Sequence, residues 1–161
     1  MCKAFQLLII VLALAGAALA DDFSTFRGAW FEIKYPTAFE AVPRDPGATS
    51  VDMGPDGASF ISPDKLVEFY IYSPQWSGKS QWQTKRPGEK TLSYSRQWEG
   101  NKRITYVTVL GNGYTRSWAL TEQPSLNTSW VFGFKYNNQA AYQRYRPQYL
   151  RFKQSLQQFA D

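Results

Sequence analysis

Asn112-Gly113 is the feature that most limits how this chain can fold. An Asn-Gly pair between two alternating runs is the strongest short-range signal of a β-hairpin, because its turn needs left-handed backbone that these residues adopt cheaply. It joins Arg103–Leu110 to Tyr114–Thr121, and Glu99-Gly100-Asn101-Lys102 joins Thr91–Trp98 to the first of these runs. Three antiparallel strands in a meander are therefore expected. A fourth, Ser129–Tyr136, follows the loop 123–128 and puts Trp130, Phe132, Phe134 and Tyr136 on one face, since side chains alternate along a strand. An aromatic face of that size needs a cover.

The rest of the chain supplies more strands and that cover. Ala29–Tyr35 is rich in aromatic and branched residues and stops at Pro36, and Phe39–Val42 is a second short extended piece. Pro43–Gly57 holds three prolines and three glycines and reads as loop. Ala58–Ile61 and Leu66–Tyr72 read as a strand pair joined by residues 62–65, with Val67, Phe69 and Ile71 on one face. Pro74–Gly88 is a second long loop. Asn137 or Asn138 can cap a helix that starts near Gln139, and Pro147 either kinks it or opens a second helix. Tyr145, Tyr149, Phe152, Leu156 and Phe159 recur at steps of four and three, which is an amphipathic helical stripe. Arg144, Gln148, Arg151 and Ser155 fall on the opposite side and are expected to face water. The expected fold class is α+β: an antiparallel sheet of about six to seven strands with a C-terminal helix packed on one face.

The N-terminus reads as an export signal. Lys3 precedes the apolar run Phe5–Ala17, which closes on Ala18-Leu19-Ala20 before Asp21 and Asp22. The run is shorter than a spanning helix needs, so cleavage between Ala20 and Asp21 is expected, leaving no stable transmembrane anchor. On this reading 1–20 is a signal peptide, 21–161 is a single domain, and the protein is periplasmic or secreted. Cleavage removes Cys2, the lone cysteine of the 161-residue chain, which also has no histidine. Disulfides, Ser-His-Asp and Cys-His catalysis, ordinary zinc sites and the common haem ligands are thereby excluded from the domain, and no cofactor is called for. The domain must fold on packing alone, and aromatic residues at 17% of the chain make that feasible.

The segment Trp30-Phe31-Glu32-Ile33-Lys34-Tyr35-Pro36-Thr37-Ala38-Phe39 resembles the opening of the PsbP-like and DcrB-like group of exported domains. In that group a strand runs into Tyr-Pro, an antiparallel sheet follows, and a C-terminal helix closes the fold. The resemblance implies an α+β sandwich and an accessory or binding role, and carries over no catalytic residue. The family places a helix between its middle strands, where Pro74–Gly88 here makes a poor one.

Several residue groups are candidates for function. The loop containing Trp76, Lys79, Trp82, Lys85 and Arg86 combines two indoles with three cations, a chemistry suited to a glycan, an anionic surface or an envelope protein. The alternative is that both tryptophans fold back over the sheet. Asp45, Asp52 and Asp56 sit in a Gly/Pro-rich loop without the spacing of a calcium site, so no metal is assigned. Glu32 and Glu68 are the pair on which the alternative function, a carboxylate-dependent hydrolase of cell-wall or extracellular glycans, would rest. Arg144, Arg146, Arg151 and Lys153 form a basic helix face; export argues against nucleic acid as its partner. Charge is uneven: four basic and nine acidic residues lie in 21–78, thirteen basic and four acidic in 79–161. Asn127-Thr128-Ser129 fits the N-glycosylation pattern. The leading expectation is a non-enzymatic, exported accessory or binding protein of the cell envelope.

Overall fold

The computed structural model describes residues 22–46 and 54–159, so the signal segment 1–20, its cleavage point at Ala20 and Asp21, and Asp52 lie outside the described residues. In chain order the elements are β1 (Phe23–Arg27), β2 (Phe31–Pro36), β3 (Glu40–Pro46), β4 (Pro55–Ile61), β5 (Val67–Tyr72), β6 (Lys90–Glu99), β7 (Lys102–Gly111), β8 (Tyr114–Gln123), β9 (Thr128–Tyr136), helix α1 (Gln139–Gln154) and β10 (Gln157–Gln158). The strands form a seven-stranded sheet in the order β3-β4-β5-β9-β8-β7-β6 and a small sheet β1-β2-β10, with every pairing antiparallel. The fold is α+β.

The meander forms where the turn residues demand it. Gly100 and Gly113 take φ of +62° and +77°, the left-handed backbone that lets β6, β7 and β8 fold back on one another. The aromatic face of β9 is covered as expected, by α1 together with the small sheet. Phe69 on β5 is fully buried there, with the rings of Phe39, Phe134, Tyr149 and Phe152 at 5.0–5.6 Å. Phe26 and Tyr35 of the small sheet reach Phe60 of the large one. Asn138 caps α1 by accepting the Ala141 amide at 2.8 Å.

Four sequence expectations change. β1 was not expected; it exists by pairing along the whole of β2. β3 and β4 extend into the expected loop 43–57, because β3 is an edge strand and an edge tolerates the missing amide of Pro43. α1 is one helix running through Pro147 to Gln154, so Leu156 and Phe159 are not on it. The chain leaves the helix at Ser155, whose hydroxyl accepts the Lys34 amide at 2.8 Å, and then adds β10 to β2. Finally, Arg144 and Arg151 are exposed as expected, whereas Gln148 and Ser155 are half-buried. Among the described residues no helix is long and apolar enough to cross a membrane.

Candidate functional site

The second face of the large sheet is covered by the long loop after β5, and a buried ion pair fixes that loop in place. Arg116 on β8 and Glu89 at the loop's end have side chains with 0% and 1% exposure and meet at 2.6 Å. Every N–H of the guanidinium is used: Nε and one Nη2 hydrogen donate to Glu89, the other Nη2 hydrogen to the Thr84 carbonyl, and Nη1 to the Trp82 carbonyl and the Tyr70 hydroxyl. Its central carbon, Cζ, stands over the Trp118 ring, 4.5 Å from the ring centre. Glu89 also accepts from the Tyr114 hydroxyl and the Arg86 amide. Burial alone would raise the Glu89 carboxyl, but the hydrogen bonds from Arg116, the Arg86 amide and Tyr114, with the Arg116 charge, hold it at about 2. Burial dominates at Tyr70 and lifts its hydroxyl to about 12.

Trp82 is the apolar half of this anchor. It is 4% exposed, its ring lies 4.9 Å from Tyr70, and its indole N–H donates to Asp45. Tyr70 can lie flat there because its cross-strand partner is Gly133; a Cβ at that position would collide with the phenol ring.

With its C-terminal half pinned, the loop's N-terminal half is stitched to the β8–β9 connection by the Ser77 amide, which donates to the Asn127 carbonyl at 2.7 Å. That connection closes on Asn127 in left-handed backbone, φ +50°. Gln158 of β10 donates to Ser73, and the Phe159 amide donates to the Trp30 carbonyl. These contacts bring four segments together around a crevice of about 300 Å³, lined by Trp30, Pro74, Gln75, Trp76, Gln123, Leu126, Thr128, Gln158 and Phe159. Trp76 is 56% exposed and Trp30 forms a buried wall. Three amides and no charged side chain line it. Arg27 stands over the Phe159 ring, 5.3 Å from its centre.

No family model matches this sequence, nor does any curated protein sequence. Among solved structures, the chain is similar to the Saccharomyces cerevisiae Ran-binding protein Mog1p, at 11% identity over 88% of this chain and 97% of that one, TM-score 0.45. A mutant of protein Mog1 gives 10% identity over 86% of this chain and 97% of that one, TM-score 0.45. A crystal structure from Bacteroides thetaiotaomicron VPI-5482 gives 14% identity and TM-score 0.48 over 85% of this chain; the chain spans 48% of that one. The resemblance is one of fold, at low sequence identity.

The structure distributes the loop residues expected to act together. Trp76 lines the crevice, Trp82 is inside the anchor, and Lys79 lines a separate open depression with Gln83, Thr84 and Glu122. Lys85 and Arg86 are exposed beyond it. The cations are therefore not part of the Trp76 crevice. Glu32 and Glu68 are not brought together either. Glu32 is on the outer face of the small sheet, 3.1 Å from Arg27, while Glu68 alternates with the core residues of β5 and so faces the opposite side of the sandwich, bonded to Ser59 and 3.7 Å from Lys135. Asp45 is engaged by Trp82. Asp56 is raised by burial and by the Asp45 charge, and no group of three or more acidic, His or Cys side chains gathers among the described residues. In the basic helix face, Arg144 pairs with Asp64 and Arg151 lies over Phe23. Asn127 of the glycosylation pattern is exposed, and Ser129 is buried.

No local sequence pattern marks Trp30, Gln123, Gln158 or the Arg116–Glu89 pair, which only the fold brings into place. Phe159 continues the helical spacing in sequence, and that pattern masks its place in the crevice.

Proposed function

We propose that this is a non-enzymatic binding protein that works after export, at the cell envelope or outside the cell, and that the Trp76 crevice holds a segment of neutral glycan. The supporting observation is the make-up of the crevice: indole and phenyl surfaces from Trp30, Trp76 and Phe159, ringed by the amides of Gln75, Gln123 and Gln158 and free of lining charge. The C–H face of a pyranose is apolar and carries slight positive charge, so it packs on the electron-rich face of an aromatic ring. An amide offers two donors and an acceptor, which matches hydroxyl groups that both donate and accept. The volume is at the small end for a ligand site and suits one or two sugar rings. The sequence resemblance to PsbP-like and DcrB-like exported domains agrees with such an accessory role.

The test is binding of the purified protein to isolated cell envelope and to soluble β-linked oligosaccharides of glucose and N-acetylglucosamine. Trp76→Ala is expected to weaken retention at least tenfold at an unchanged melting temperature, because Trp76 is largely outside the core. Unchanged retention, or no oligosaccharide binding by the wild-type protein, overturns the proposal. Trp82→Ala is the contrasting variant, expected to lower the melting temperature.

A further inference from the structure

A second concavity lies on the other face of the large sheet, along the flank of α1. The helix covers β9 and β5 but stops short of β8 and β7, where the side chains beneath its edge are small: Ser117, Ala119 and Thr108. The hollow they leave has a volume of about 250 Å³ and is closed at its sides by the Phe134 and Tyr149 rings and by Tyr106. Along the helix wall run Arg146, Leu150 and Lys153, spaced by four and three so that all three project to the same side.

The charge of this groove is one-sided. No acidic residue lines it, and among the described residues neither Arg146 nor Lys153 makes an ion pair. Lys153 stands over Phe132 and Tyr149, 5.8 and 5.9 Å from the ring centres. Burial pushes its ammonium below the ordinary value, and the Glu99 charge opposing that shift is beyond ion-pair distance. A partly desolvated cation without a counter-ion, beside an apolar hollow, is complementary to a ligand that brings both an anion and a hydrocarbon body.

We propose that this groove is a second ligand site, taking a soluble single-chain carboxylate whose tail lies on Phe134, Ala119 and Tyr149 and whose headgroup meets the Arg146–Lys153 wall. It is independent of the Trp76 crevice. The probe is octanoate, titrated while the amide resonances of Ser117 and Ala119 are followed by NMR, with octanol and octylamine as headgroup controls and phosphatidylglycerol vesicles as the bilayer control. Octanoate is expected to bind at least tenfold more tightly than octanol, with octylamine weakest. The variant Arg146→Gln/Lys153→Gln should reduce octanoate binding to the octanol level and leave octanol binding unchanged. Ala119→Leu fills the hollow and should abolish both; if that variant does not fold, the charge variant decides. Octanoate binding should not depend on Trp76, which does not line this groove. Equal affinity for octanoate and octanol, shifts confined to other regions, or vesicle binding without an octanoate response would each overturn the proposal.

Discussion

Arg116 and Glu89 are 27 positions apart, and nothing in their local sequence distinguishes them from the surface charges around them. In the fold they become a buried pair with every guanidinium hydrogen satisfied, so removing one partner strands the other without solvent. Arg116→Met is expected to cost about 3–5 kcal/mol in urea denaturation. The double variant Arg116→Met/Glu89→Leu should be less destabilised than Arg116→Met alone, because no buried charge is left unpaired, and with Glu89→Leu as the second single variant the cycle measures the coupling. The same long-range dependence explains why the two loop tryptophans could not be told apart in sequence. Their neighbours are similarly polar, and only the contacts of Trp82 with Tyr70 and with Asp45, 37 positions away, make one an anchor and leave the other exposed.

Elements were legible in the sequence wherever local chemistry decided them. The hairpins β6–β7–β8 follow from Gly100 and Gly113, the one residue of each turn in left-handed backbone, and the start of α1 follows from Asn138. The helix end did not, because Leu156 and Phe159 continue the helical spacing while Ser155 is captured by Lys34, 121 positions earlier in the chain. β1 has little alternation of its own and exists through its pairing with β2. β6 is exposed along all ten residues, carrying Leu92, Tyr94 and Trp98 to solvent; Lys90, Arg96 and the irregularity between Thr91 and Ser93 are the features that blunt such an edge against unwanted pairing. Within α1, Pro147 is exposed and cannot donate to the carbonyl one turn back. Pro147→Ala restores that donor and should stabilise the protein by about 1–3 kcal/mol, seen as a higher melting temperature. A fall would mean that the packing of α1 depends on the Pro147 ring itself.

The whole molecule couples these anchors to pH. Without histidine, the chain has no side chain whose ordinary pKa lies between pH 5 and 8, so stability should be nearly flat across that range. In acid the picture changes because Glu89 is held at about 2 in the folded state, against 4.5 ordinarily. A carboxyl depressed by folding stabilises the protein fully above its unfolded value, and that contribution is lost as pH falls from about 4.5 toward 2. The shift corresponds to a loss on the order of 3 kcal/mol. Asp64 acts in the same direction: burial pushes it up, but hydrogen bonds from Ser62, Tyr145 and the Leu66 amide, with the Arg144 charge, outweigh burial and lower it. Asp56 acts oppositely, raised by burial and by Asp45, so its contribution is greatest in acid and offsets part of the loss. Urea midpoints should therefore hold from pH 8 to 6 and fall steeply between pH 4.5 and 3. Glu89→Gln is less stable at pH 7, because it leaves the Arg116 charge buried without its counter-ion, but its midpoint should decline far less over the same acid range. A variant that kept the wild-type slope would show that the acid sensitivity arises elsewhere than at the buried pair that fixes the loop.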